Sequence, residues 1–224
     1  MEQKSIRFCL QAWNGWTEHR ELSGDNIAPL LLRRRVSPLG QNALKAAWNI
    51  PTSENARYIF SSRHGEFGRT LSILENYIDE KTVSPADFSL SVHHALIGLL
   101  SIAQQNHQGH IALASGNETL CLALIEAYAL LKERPDENVM IVHCDEPLGG
   151  AFSHFNDEAE IPIVLVLLLS AKTGTEYSLS WSSATDGEDL ISCHALEILK
   201  FLDSDANALA TFGERLNWKW DRHV

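Results

Sequence analysis

The chain has 224 residues, enough to bury a sizeable core, and one large domain is expected in preference to two small ones. Eighteen basic against 29 acidic residues give a formal charge of −11, which argues against a nucleic-acid backbone or an anionic membrane surface as partner. The four cysteines, Cys9, Cys121, Cys144 and Cys193, are far apart and form no C-x-x-C pair, which speaks against a structural zinc or a disulfide scaffold and for a reducing compartment.

Taken from the N-terminus, Ile6 to Trp13 alternates like a strand that Asn14-Gly15 should end, and no signal peptide is evident ahead of it. Arg33-Arg34-Arg35 is the only dense basic run and reads as a solvated turn. Ser37-Pro38 opens a helix to about Trp48, because Ser37 can cap free amides and proline is tolerated at the first helical position. Ala56 to Ser62 is a buried strand, Arg63 to Arg69 a glycine-bracketed loop, and Thr70 to Asp79 a helix with Leu71, Leu74 and Ile78 at helical spacing. Ser84-Pro85 should break that helix. Phe88 to His94 then alternates, so an extended segment is expected, with Phe88, Leu90 and Val92 on one face and His93 and His94 pointing apart.

Ala95 to Gln105 is the next helix, and Gly109 to Ser115 a strand that stops abruptly where a long helix, Asn117 to about Glu133, begins. Asn117 is expected to cap it. Val139 to Cys144 is a buried strand ending at Asp145-Glu146-Pro147. The run Ile161 to Ala171 is the most strand-like in the chain and should be central, with Glu176 to Trp181 as its hairpin partner. Asp186 to Leu202 is read as a helix and Leu216 to Trp220 as a last strand. The longest apolar run, Ile161 to Leu169, falls far short of the roughly 20 residues that span a bilayer, so a soluble, cytoplasmic protein is expected. Strands alternating with helices imply an α/β fold with a largely parallel sheet covered on both faces.

Several positions could carry chemistry. The turn Ile111-Ala112-Leu113-Ala114-Ser115-Gly116-Asn117-Glu118 lies where α/β proteins often present a reactive side chain. Ser115 there resembles the serine of a nucleophile elbow, but Ala112 replaces the required first glycine, and small residues are equally explained by strand-to-helix packing. Cys121, among Leu120, Leu122 and Leu124, reads as a small buried hydrophobe before it reads as a thiol nucleophile. His93, His94, His107 and His110 have no metal-ligand spacing, and His64 with Glu66 reads as loop ordering before it reads as an acid/base pair.

Four blocks taken together carry a resemblance: Pro38-Leu39-Gly40 with Ala43 to Ala47, Ser61-Ser62-Arg63-His64-Gly65-Glu66, Ser84 to Ala95, and Asp145-Glu146-Pro147-Leu148. Between about Trp13 and Ala171 the chain resembles the β-ketoacyl-synthase-like N-terminal family, the short branch of the thiolase-like condensing enzymes of aryl polyene-type gene clusters. The resemblance implies a thiolase-like half-fold filling residues 1–224 as one domain, without the C-terminal half that carries the catalytic histidines and lysine. It aligns Asn117 with the family's nucleophilic cysteine, and a carboxamide cannot form a thioester. It therefore implies no catalytic residue, no cofactor and no metal. The implied role is that of a chain-length factor, which pairs with a catalytic β-ketoacyl-ACP synthase and meets the acyl carrier protein through that complex. Phe88, Leu90, Val92, His93, Ile111, Leu113, Ser115 and Asn117 become tunnel or interface candidates. A stand-alone acyl hydrolase or acyltransferase using Ser115 or Cys121 is the rival.

Overall fold

In the computed structural model, which describes residues 4–51, 55–156, 161–184 and 192–223, the architecture is set by one strand buried along its whole length. Strand β5, Ile163–Ser170, has no exposed residue. Its side chains alternate between two cores: Ile163, Leu165, Leu167 and Leu169 join one, and Val164, Val166 and Leu168 join the other. A strand covered on both faces needs apolar residues at every position, which is why this stretch reads as an unbroken run.

Around it run β1 (Lys4–Thr17), β2 (Ala56–Ser61), β3 (His110–Leu113), β4 (Asn138–Asp145), β6 (Thr175–Ser183), β7 (Ala208–Phe212) and β8 (Leu216–His223). The eight form one sheet in the order β3-β2-β4-β5-β1-β6-β8-β7. Helices α1 (Leu30–Arg33), α2 (Pro38–Trp48) and α5 (Ala95–Ala103) cover one face, and α6 (Thr119–Glu133) and α7 (His194–Leu202) the other. Two further helices, α3 (Phe67–Glu80) and α4 (Pro85–Ser91), pack against each other and contain no buried residue. No single helix among the described residues is long and apolar enough to cross a membrane.

The expected α/β layering is present, but the strand directions differ from the expected largely parallel sheet. Only β2–β3 and β2–β4 are parallel, while β4–β5, β5–β1, β1–β6, β6–β8 and β8–β7 are antiparallel. The reason lies in β1, which sits between β5 and β6. Those two strands, expected to pair as a hairpin, instead both pair with β1. Nor does Asn14-Gly15 end β1. Asn14 is buried and its amide exchanges hydrogen bonds with the backbone of Ser23, at 2.9 and 3.1 Å. A Cβ on Gly15 would stand 2.5 Å from Leu199 Cδ1, so this glycine permits close approach of α7 and makes no turn.

The second correction is α4. Phe88 to Ser91 is helical, because Ser84 Oγ accepts from Asp87 N at 3.2 Å and Pro85 occupies the first turn. The Ser-Pro pair is thus the same start signal as Ser37-Pro38, where Ser37 Oγ accepts from Gly40 N at 3.1 Å. Phe88 and Leu90 therefore do not share a face, since two helical residues are roughly 200° apart. Strand β7 was not expected; of its five residues only Thr211 is buried, so it carries no apolar alternation. The expected helix from Asp186 starts at His194 in the described part, and residues 185–191 lie outside the described residues.

Turn geometry supplies a stability test. Gly174, between β5 and β6, has φ +118°, and a Cβ there would meet the carbonyl oxygen of Leu10 at 2.4 Å. Gly174→Ala should cost about 2 kcal/mol or more, read as a lower urea midpoint. Gly68→Ala in α3, where a Cβ meets nothing within 4 Å, should be neutral or stabilising by up to about 1 kcal/mol.

Candidate functional site

The carboxyl ends of the parallel strands β2, β3 and β4 converge where ligand sites of α/β sheets usually lie. Beyond β2 the loop Arg63 to Glu66 folds over the end of β4 because Asp145 holds it. Its carboxylate accepts from Ser62 Oγ at 2.8 Å, from Arg63 N at 2.8 and 2.9 Å, and from His64 N at 3.1 Å. Beyond β3, Gly116 adopts φ +63° and the chain reverses into α6. Thr119 Oγ1 closes that turn, accepting from Ser115 N at 2.8 Å and donating to Gly116 O at 2.6 Å.

Helix α6 begins two residues later than expected, and Asn117 is not its cap. The cap position belongs to Glu118, whose side chain points elsewhere. Only 1% exposed, Glu118 accepts from Arg215 N at 2.9 Å and Leu216 N at 2.8 Å, and lies 3.1 Å from the Arg215 guanidinium. It fastens α6 to the β7–β8 turn. The same guanidinium donates to Ser115 Oγ at 3.1 Å.

Between the start of α6, the end of β4 and the start of α7 lies a cavity of about 40 Å³, lined by Asn117, Thr119, His143, Asp145, Cys193 and His194 among others. His143 Nδ1 lies 3.0 Å from Ser61 Oγ, and its Nε2 3.7 Å from Asp145. The order hydroxyl, imidazole, carboxylate is that of a hydrolase triad, but Ser61 is fully buried and cannot meet a substrate. Burial pushes the pKa of His143 down against the opposing pull of Asp145. His194 Nδ1 is 2.8 Å from Thr211 Oγ1, and burial lowers its pKa to about 4, with Glu118 opposing and His143 reinforcing the shift. At the rim, Glu146 is pushed up by burial first and then by Glu66 and Asp145.

The structure separates the proposed site residues. Ser115 and Asn117 flank the turn, and Asn117 lines the cavity. Ser115 is half-buried, and its hydroxyl faces a guanidinium donor where a general base would be needed. Cys121 is fully buried, and desolvation followed by Glu118 drives its thiol far above the ordinary range, which removes the thiolate a nucleophile requires. Both candidates of the rival hydrolase thus lack activation. Ile111 and Leu113 lie on β3, the outermost strand; Ile111 is 38% exposed. Phe88 and Val92 are exposed on and just after α4, and Leu90 is half-buried. His93 Nε2 donates to Ser62 O at 2.8 Å and its ring packs edge-on against Phe60, so it pins the loop after β2. Glu66 accepts from Ser37 Oγ at 3.1 Å, consistent with loop ordering. Among the described residues no cluster of His, Cys, Asp or Glu could hold a metal.

Sequence reasoning missed His143, His194, Glu118 and Asp145 as site-building residues. Asp145 stood inside a block already noted for resemblance, and His143 at a strand's carboxyl end was a visible signal. Glu118 and His194 depend on contacts with β7, β8 and the turn between them, which no local pattern announces.

Residues 11–221 match the beta-ketoacyl synthase, N-terminal domain family. The chain therefore belongs to that family over nearly its whole length, well beyond Ala171. Among solved structures it is similar to a chain of the ketosynthase (ApeO) in complex with its chain length factor (ApeC) from Xenorhabdus doucetiae, at 20% identity and TM-score 0.82, covering 97% of this chain and 100% of that one. It is also similar to a beta-ketoacyl synthase from Burkholderia phymatum STM815, at 10% identity and TM-score 0.67, with the same coverage. No curated protein matches the sequence.

Because His194 titrates below its ordinary 6.5, protonation favours the unfolded chain. Stability should fall as pH drops through 6.5 toward 4, by about 3 kcal/mol in all. Urea unfolding of the protein and of His194→Gln between pH 7 and 4 checks this: the difference between their midpoints should shift across that window and stay level above it.

Proposed function

We propose that the protein is a cytoplasmic, non-catalytic chain-length factor that forms a heterodimer with a full-length β-ketoacyl-ACP synthase and helps shape its acyl tunnel in aryl polyene-type biosynthesis. On this reading residues 1–224 act as one synthase-like N-terminal domain, and the acyl carrier protein is met through the complex. The carrying observation is Asn117. It stands at the strand-to-helix turn, at the position where the family resemblance puts the nucleophile, and its carboxamide offers no covalent chemistry. The surface supports the partnership. The outer edge of β3 is unpaired among the described strands, and Ile102, Ile111, Phe88, Tyr77 and Ile78 are exposed on β3, α5, α4 and α3. An apolar surface beside an open strand edge is what an interface requires and what an isolated chain should avoid. A neighbour of matching size in a ketosynthase–chain length factor complex is consistent with this.

Two experiments test the proposal. Co-expression with the partner synthase should give a heterodimer on sizing, and Ile111→Asp or Ile102→Asp should each weaken it by about 2 kcal/mol or more with the circular dichroism unchanged. Failure of the chain and synthase to co-purify would overturn the partnership. Within the complex, Leu90→Trp or Val92→Trp should shorten the products, and unchanged product length at every tunnel candidate would remove the tunnel role. Stoichiometric labelling of the isolated chain by a fluorophosphonate or iodoacetamide at Ser115 or Cys121 would instead establish the hydrolase rival.

A further inference from the structure

Two buried nitrogens lining the cavity beside α6 make no hydrogen bond to the protein: Asn117 Nδ2 and His194 Nε2. Their residues are 9% and 2% exposed. The opposite nitrogen of His194 is engaged by Thr211 Oγ1 at 2.8 Å, which leaves Nε2 as the nitrogen free to meet a ligand in the cavity that the residue lines. An unpaired buried polar group costs about 1–3 kcal/mol, so two of them facing one small space point to a ligand that satisfies both. The cavity of about 40 Å³ exceeds the volume of one water probe by about threefold, room for a group of a few heavy atoms.

The charge of that group follows from the walls. Asp145 and Glu146 line the cavity, and among the described lining residues Arg63 is the one lysine or arginine. The carboxyl of Glu146 is raised in part by Glu66 and Asp145, so the rim already disfavours added negative charge. His194, held well below its ordinary pKa by burial, brings no positive charge at neutral pH. Beyond the Arg63 guanidinium a carboxylate would meet two like charges, Asp145 and Glu146, whereas a neutral oxygen needs no compensating charge.

We propose that the Thr211 hydroxyl donates to His194 Nδ1, that Nε2 carries the imidazole proton, and that Asn117 and His194 together bind one neutral carbonyl oxygen and reject carboxylates. The ligand class is a small ketone, ester or amide end. The site rests on the cavity of this chain and not on the partner synthase, so its failure and that of the heterodimer are separately visible.

The test uses acetamide and acetate, which match in size and shape and differ in charge, titrated at pH 7 into the full chain labelled with nitrogen-15. Acetamide should saturably shift the Asn117 side-chain amide and His194 Nε2 resonances, with Nε2 in the protonated tautomer, and acetate should bind at least tenfold more weakly. Asn117→Leu should abolish the acetamide-induced shift at His194. His194→Gln, which keeps a donor, should retain the shift at Asn117. Equal or tighter acetate binding, a bare Nε2 lone pair, or no shift with either probe would each overturn the proposal; the last result would leave water as the occupant.

Discussion

Backbone N–H groups at the carboxyl rim of a sheet have no strand to pair with, and buried ones need an acceptor. Two carboxylates supply it here. Asp145 gathers the amides of Arg63 and His64, and Glu118 those of Arg215 and Leu216. The first sets the loop after β2 against β4; the second ties α6 to a turn almost a hundred residues downstream. Asp145 itself lines the cavity, while Glu118 lies between the lining residues Asn117 and Thr119 and anchors the start of α6. A Cβ at Gly213 would approach Glu118 Oε1 to 2.8 Å, which shows how closely the turn is drawn in.

This arrangement also fixes the chemical character of the site. Carboxylates beside buried imidazoles give an electronegative pocket in which burial holds His143 and His194 below the ordinary imidazole range. Such a pocket can orient hydrogen bonds but cannot readily generate a thiolate or receive an anion. Cys121, four residues beyond Asn117, is turned into the core among Leu120 and Leu124. The proposed partner role rests on this contrast between the place of Asn117 at the turn and the lack of activation at Ser115 and Cys121.

Much of the fold was readable because apolar pattern and capping chemistry act locally. β5 announced itself through eight consecutive buried positions, and α2 through Ser37-Pro38. The order of strands was not readable, since the insertion of β1 between β5 and β6 is decided by pairings as distant as Cys9 with Ser170 and Lys4 with Trp181. Phe88 to Ser91 misled because its alternation mimics a strand while the Ser84 cap commits it to a helix. At the site, the strand-to-helix turn and Asn117 were legible. His194 was not, because its importance comes from Thr211 on an edge strand that buries only that one side chain.

The position of β1 has a temporal meaning. Its residues are hydrogen-bonded to Ile163–Ser170 and Thr175–Trp181, so during synthesis β1 must wait for segments made well over a hundred residues later before either neighbour exists. Contacts of such long range slow folding and leave unpaired edges available in the interval. The segment that completes the middle of the sheet therefore waits unpaired on the ribosome, and the sheet can close only after Trp181 has been made.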